Sequence, residues 1–439
     1  MTDSKTPSEI KAVSNRRRFL KTSSASLALG LTAANYRAAS AAPNDKIRMG
    51  FIGLGGMGTG RLNEFMRQED AEVVAVCDVD SSHLANAIKE VETRRDMTPD
   101  AYSDFRELIA RNDIDGVMVA TPDHWHALTA LTALNAGKDV FVEKPLCHSI
   151  NEGRELVDAA KRNNRITQMG NHIHSGNNYR RVVEMVQSGK LGGITKVACW
   201  KSSSMQNMGK PDNATPPPEL NYDFWQGAAP KEPYNKNRSH FTFRYFWDYS
   251  GGDFMDFWCH ITDVAFWALD LGAPLTVSAT GGRWYHDDNA ETPDVFEATL
   301  TFPNNLILTW TLHPKGLPGY EQFGGIGCVF QGDDATCVTN YGENKIFVDG
   351  KENPDFERPP QSIPNSPGHI RQFLDCMKSR EQADCNVEYA YKLTKPGLLC
   401  NIAYRIGETL HWDDEKEQVI GNYRANQMVN RKYRRPWSI

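Results

Sequence analysis

The chain has no apolar run near the roughly 20 residues that cross a bilayer as a helix; its longest N-terminal candidate is the weakly apolar stretch 27–34. It has no C-x-x-C pair and no zinc-type spacing among its nine cysteines, at positions 77, 147, 199, 259, 328, 337, 376, 385 and 400. An odd, scattered set of this kind argues against a disulfide framework or a structural zinc, and reads as small core residues. It also lacks an internal repeat, a long biased tract and an excess of positive charge: the formal net charge is −6. Nucleic acid is therefore excluded as a partner class. A composition that is 40% hydrophobic and 24% charged over 439 residues is that of a globular protein, too long for one ordinary core.

What is present begins at residue 15. Asn15-Arg16-Arg17-Arg18-Phe19-Leu20-Lys21 precedes the short apolar stretch, and Ala39-Ser40-Ala41 offers small residues at a cleavage site before Ala42. This is the layout of a signal peptide over residues 1–41 rather than a stable membrane anchor. The paired arginines resemble a twin-arginine export signal, which carries proteins across already folded and implies a periplasmic destination. Residues 1–41 hold seven Lys/Arg and two Asp/Glu, so removing their net +5 leaves a mature chain near −11.

From residue 45 short apolar runs alternate with longer amphipathic stretches, the pattern of a parallel sheet with crossover helices. Strands are expected at 46–52, 72–77, 116–120, 139–142 and 165–169, with helices near 58–68, 81–92, 104–111, 124–136 and 151–163. Past residue 170 the pattern changes. Phe296, Ala298, Leu300 and Phe302 alternate along one strand, Pro303-Asn304-Asn305 turns, and Leu306, Leu308, Trp310 and Leu312 alternate back. The expected fold class is α/β plus α+β: a Rossmann-type doubly wound parallel sheet over 45–170, then an α+β domain with a large, mostly antiparallel sheet over 171–412, and a tail over 413–439.

Phe51-Ile52-Gly53-Leu54-Gly55-Gly56-Met57-Gly58 sets G-x-G-x-x-G between the first strand and the first helix. Gly53 permits the tight turn, Gly55 lets the backbone approach a pyrophosphate, and Gly58 lets helix and strand pack closely. Asp78, twenty residues past Gly58 at the end of the second strand, is placed to accept hydrogen bonds from a ribose and to repel a 2′-phosphate, so NAD is expected over NADP. In an open α/β sheet the ligand lies beyond the carboxyl ends of the strands. There stand Thr121-Pro122-Asp123-His124-Trp125-His126 and Glu143-Lys144-Pro145.

Together with the glycine loop these segments resemble the Gfo/Idh/MocA (glucose–fructose oxidoreductase and inositol dehydrogenase) family, whose hallmark is this Glu-Lys-Pro. Gly251-Gly252-Asp253-Phe254-Met255-Asp256-Phe257-Trp258-Cys259-His260 resembles its second-domain motif, with Asp256 and His260 on one helical face. The resemblance implies a nicotinamide site formed by Gly53, Gly55, Gly58, Asp78, Thr121, Pro122, His126, Glu143 and Lys144. It implies that Lys144 binds the reacting hydroxyl, His260 exchanges its proton, and Asp256 orients the substrate or relays protons. The substrate would be a sugar, polyol or cyclitol, and the enzyme a homo-oligomer.

The chemistry has the same needs: a base near neutral pKa beside the alcohol, and a donor that stabilises alkoxide character. The His124/His126 and His172/His174 pairs have no Cys or acid at a spacing that completes a zinc set, so no metal is expected. The aromatics crowded between 222 and 258 are expected mostly in a core or an interface, with sugar stacking as the alternative use. Two other function classes stay open: an NAD-dependent glycosidase working by transient oxidation and elimination, and a sugar-binding protein with a vestigial nucleotide site, which the presence of Lys144 and His260 disfavours.

Replacing Arg16 and Arg17 by Lys should strand the precursor in the cytoplasm with residues 1–41 attached. Fractionation and intact mass check this; unchanged export of the double variant overturns the twin-arginine reading.

Overall fold

The computed structural model describes residues 46–202 and 206–439, and the signal segment expected over residues 1–41 lies outside that range. Its first layer is a six-stranded parallel sheet of β1 (Ile47–Ile52), β2 (Ala71–Cys77), β3 (Asp100–Tyr102), β4 (Gly116–Val119), β5 (Asp139–Val142) and β6 (Thr167–Met169). The strand order is β3-β2-β1-β4-β5-β6, the doubly wound order whose switch point falls between β1 and β4. The crossovers carry α1 (Gly56–Met66), α2 (Ser81–Arg95), α3 (Phe105–Ile109), α4 (Asp123–Asn135) and α5 (Ile150–Asn163). The central strands read as continuous apolar runs because both faces are covered. β3 escapes the apolar pattern because it is a three-residue edge strand, exposed at Asp100 and Ala101. Asp80 caps α2 by accepting from the Ser82 and His83 backbones, and Ser149 with Glu152 forms the capping box that starts α5.

The second layer follows α6 (Asn177–Gln187) and is a ten-stranded sheet. Its strands are β7 (Ile194–Ser202), β8 (Thr276–Gly282), β9 (Val295–Phe302), β10 (Leu306–His313), β11 (Ile326–Gly332), β12 (Thr336–Thr339), β13 (Asn344–Val348), β14 (Lys351–Glu352), β15 (Leu410–Asp413) and β16 (Gln418–Val419). The order β14-β13-β12-β11-β7-β10-β9-β8-β15-β16 is antiparallel except where β10 runs parallel to β7. Between these strands lie α7 (Tyr222–Gln226), α8 (Gly252–Leu269), α9 (His369–Ser379) and α10 (Val387–Ile406), and α11 (Tyr423–Val429) follows the last of them. α10 is buried over most of its length, so it shows no polar stripe by which a sequence reading could find it. Among the described residues no helix is long and apolar enough to cross a membrane.

One late helix returns to the first core. Ile370, Phe373, Leu374 and Met377 of α9 are buried with Phe51, Phe65, Met118 and Phe141 of the parallel layer. The Phe373 ring stands edge-on to Phe141 at 5.6 Å and to Phe65 at 6.3 Å. Arg371 of α9 holds Asp70, at the turn before β2, with both carboxylate oxygens engaged at 2.7 and 2.9 Å, and this pairing holds the Asp70 carboxyl well below the usual range.

Phe373 is fully buried, so Phe373→Ala should destabilise the protein by about 3–5 kcal/mol, read by chemical denaturation. A loss under about 1 kcal/mol would make α9 peripheral to the nucleotide-binding layer.

Candidate active site

The glycine loop is dictated by close contacts. Gly53 has φ +84°, and a Cβ there would stand 2.7 Å from the Ala120 backbone; at Gly58 a Cβ would stand 1.8 Å from the Gly53 carbonyl oxygen. At Gly55, by contrast, a Cβ would meet only the His83 ring, at 3.8 Å. The open space at Gly55 and the helix start at Gly56, which no side chain caps, form a ready anion cradle. Asp78 follows β2. It accepts from the Leu54 N–H at 2.6 Å and the Asp80 N–H at 2.9 Å, which aims the carboxylate along the cavity edge while leaving lone pairs for further donors.

A cavity of about 360 Å³ runs from Gly53, Gly55 and Asp78 past Thr121, Pro122 and His126 to Glu143 and Lys144. Thr121 Oγ1 is buried there without a protein partner. His126 points Nδ1 at the Pro145 carbonyl (2.7 Å) and Nε2 at the Thr121 carbonyl (2.9 Å). It thereby ties the loop after β4 to the loop after β5. Glu143 is turned to Arg61 of α1, whose Nε donates to Oε1 at 2.5 Å in a buried pair. The Lys144–Pro145 peptide is cis. These features fit a dinucleotide: the loop approaches closely where a pyrophosphate must lie, and the orphan hydroxyl and free helix terminus supply donors.

The predicted catalytic residues come from both layers. Lys144 Nζ donates to Asp256 Oδ1 at 2.6 Å and to the Asp256 carbonyl at 2.9 Å. Arg244 Nε donates to the same Oδ1 at 3.2 Å. Burial alone would raise the Asp256 carboxyl, but Lys144 and Arg244 together hold it well below the usual carboxylate range. Lys144 borders the cavity; Asp256 and His260 are not among its lining residues. Asp256 stands behind Lys144, and His260 follows one turn along α8.

His260 is buried, and burial followed by the Lys144 charge pushes its pKa well below 6.5. Its Nδ1 lies 2.8 Å from Asn171 Oδ1, while Asn171 Nδ2 donates to the Cys259 carbonyl at 3.1 Å. A carbonyl only accepts, so the amide is fixed with Oδ1 toward the ring. Nδ1 therefore carries the proton, and Nε2 is left with its lone pair. The sequence reading missed Asn171, which follows β6 in no motif of its own, and Arg244, which sits in the aromatic segment.

Three of the four H-x-H histidines, His124, His126 and His174, have hydrogen-bond partners within the protein. His124 Nε2 faces the Trp225 carbonyl at 3.1 Å. His174 Nδ1 binds Asp263 at 2.9 Å and stacks on Trp267. His172 stands edge-on to His260, 5.0 Å between centroids. Among the described residues the one group of three side chains able to share a metal is Asp80, His83 and His240, of which His83 and His240 line the same cavity as Lys144.

The His260 ring should show an unprotonated Nε2 by nitrogen NMR and stay neutral well below pH 6.5. Its protonated form is disfavoured by burial and by Lys144, so protonation sets in only as pH falls through the depressed pKa. Lys144→Ala should move the titration upward, and Asn171→Ala should abolish the tautomer preference. A wild-type titration at or above 6.5 contradicts this electrostatic account.

The comparisons with known proteins agree with the geometry. Residues 47–171 match the oxidoreductase family model described as an NAD-binding Rossmann fold, and residues 175–302 and 320–439 match the C-terminal alpha/beta domain of that family. Among curated proteins, a glycosyl hydrolase family 109 protein of Shewanella pealeana is 33% identical over 201 residues, 41% of this chain and 44% of the relative. One of Shewanella baltica is 32% identical over 203 residues; the chain thus spans under half the length of these relatives. In fold the chain is similar to the WlbA dehydrogenase of Chromobacterium violaceum, solved with NADH and UDP-GlcNAcA. The TM-score is 0.63 and the identity 18%, over 85% of this chain and 97% of that one. It is also similar to a levoglucosan dehydrogenase solved with NADH and levoglucosan, at TM-score 0.59 and 17% identity over 84% and 99%. The chain belongs to the Gfo/Idh/MocA family of NAD-binding oxidoreductases.

Proposed function

We propose that this protein is an exported, homo-oligomeric oxidoreductase that transfers a hydride between a retained NAD and a secondary alcohol of a sugar, polyol or cyclitol. The observation that carries the reading is the Lys144–Asp256 contact at 2.6 Å, with His260 one turn away and its Nε2 lone pair free. When bound, the nicotinamide supplies the hydride acceptor. Lys144 donates a hydrogen bond to the substrate oxygen and stabilises it as negative charge grows. Asp256, held ionised by Lys144 and Arg244, pairs with the Lys144 side chain and fixes where Nζ points. His260 accepts the hydroxyl proton, the role for which its neutral state suits it.

Export through the twin-arginine route places the enzyme where no dinucleotide pool exists, so the cofactor must travel inside the folded protein and remain there. A retained cofactor must also be regenerated in place. That requirement, together with the glycosyl hydrolase family 109 name of the curated relatives, supports a second reading: oxidation of a ring carbon, elimination of the aglycone and return of the hydride, with no net redox change. Both readings use Lys144 and His260 alike.

Lys144→Ala and His260→Ala should each lower turnover by roughly 10²–10⁴-fold while leaving cofactor binding in place, because Arg244 still neutralises Asp256 and the glycine loop is untouched. Product analysis separates the two readings. A ketose formed with one equivalent of reduced cofactor supports net oxidation; released aglycone without reduced cofactor supports elimination. Near wild-type turnover in either variant removes that residue from the mechanism.

A further inference from the structure

The wall of the cavity opposite the glycine loop belongs to the second layer's long excursion between β7 and α8. Phe224, Trp225, His240, Phe241, Phe243 and Arg244 all line it. The foot of this excursion is firmly attached to the parallel layer. Leu220 forms an antiparallel bridge with Asp80; the Ser81 N–H donates to the Glu219 carbonyl at 2.9 Å and the Asn221 N–H to the Val79 carbonyl at 3.0 Å. The Trp125 indole donates to the Trp225 carbonyl at 2.8 Å. Leu220, Tyr222, Trp225, Phe243, Phe246 and Tyr249 bury one another in a small core of their own.

The tip is held more lightly. Phe241 is 69% exposed although it lines the cavity. His240, half-buried, reaches back to the parallel layer through Nε2, 3.0 Å from Asp80 Oδ2, and its ring lies 4.6 Å from that of His83. Asp80 spends its other oxygen capping α2, so Oδ2 is the one left for His240. The contact sits beside Asp78, the ribose carboxylate of the expected NAD site, where His83 Nδ1 comes within 3.6 Å. Four residues beyond His240, Arg244 binds Asp256. One short segment therefore touches both the adenosine end of the cavity and the acid that positions Lys144.

We propose that residues 239–242 form a clasp over the adenosine half of NAD, latched by His240 on Asp80, and that opening this latch is the slow step of cofactor release. A ligand enclosed between the glycine loop and this segment leaves only when the tip lifts. Lifting it also removes the Phe241 carbonyl that accepts from Arg244 Nη1 at 3.0 Å, so the arginine on Asp256 is fully braced only while the cofactor is enclosed. The proposal deepens the retained-cofactor reading but rests on the NAD-binding fold and not on the identity of the substrate.

The test loads the mature protein with NADH, chases with excess NAD and follows the loss of bound-NADH fluorescence. His240→Ala should speed release at least tenfold. Asp80→Asn, which keeps an oxygen for the α2 cap but removes the charge facing His240, should speed it in the same direction and serves if His240→Ala fails to fold. Slow release in the wild type with both variants within twofold of it overturns the latch and leaves retention standing. Wild-type exchange within seconds, with the variants faster still, overturns retention and leaves the latch standing. Release accelerated by a chelator overturns the direct His240–Asp80 contact in favour of a cation shared by Asp80, His83 and His240.

Discussion

The ion pair between Lys144 and Asp256 joins the loop after the fifth parallel strand to the first turns of α8, and the reactive end is organised around it. Neither partner is free of the other layer: Lys144 has 8% and Asp256 19% of its side chain exposed. A charge so placed is costly to desolvate unless it is matched, so the two layers must meet in this register for both residues to be accommodated. Arg244 adds a second cation to the same carboxylate oxygen. The excess positive charge then acts on the next group along α8, which is His260.

That arrangement explains a difference between two groups facing the same lysine. Asp256 is negative, and Lys144 stabilises its charged form; His260 would become positive, and Lys144 opposes that. One ammonium thus helps keep an acid ionised against its burial, and adds to the burial that already keeps a base unprotonated. Asn171 completes the setting by deciding which ring nitrogen carries the proton. Its amide is itself pinned by the Cys259 carbonyl, so the tautomer is fixed by backbone geometry two bonds removed from the ring.

How far the sequence exposes this depends on the range of each interaction. The glycine loop and Asp78 are legible because their contacts are near in sequence: Gly53 meets Gly58 five residues on, and Asp78 closes on Leu54, 24 residues back; the Glu-Lys-Pro segment is legible by resemblance, since its partners Arg61 and Asp256 lie 82 and 112 residues away. Asp256 and His260 are legible as a helical i,i+4 pair. Asn171 and His240 act across layers, on partners 89 and 160 residues away, Arg244 acts within the second layer on a partner 12 residues on, and no spacing announces them. The strand β3 and the helix α10 hide for opposite reasons, one too short and exposed to show a pattern, the other too buried to show a polar face. α9 is legible as an amphipathic helix, but nothing in its own periodicity tells which of the two cores receives it.

A base whose pKa is depressed in the resting site is a weak one for an isolated alcohol, and the same electrostatics resolve that. In the proposed reaction, as the substrate hydroxyl loses its proton, negative charge grows beside Lys144 and offsets the cation that adds to burial in disfavouring protonated His260. The imidazolium is then stabilised at the moment it forms, and not before. Preference for a charge distribution that exists only in the transition state is what raises the rate of the chemical step, whereas equal preference for the ground state would not. The arrangement requires that Lys144 stay where Asp256 holds it while charge develops, and that water, which would screen the interaction, be kept out. The proposed clasp at His240 meets both requirements: its contact with Asp80 lies four residues from the one that fixes the carboxylate under Lys144.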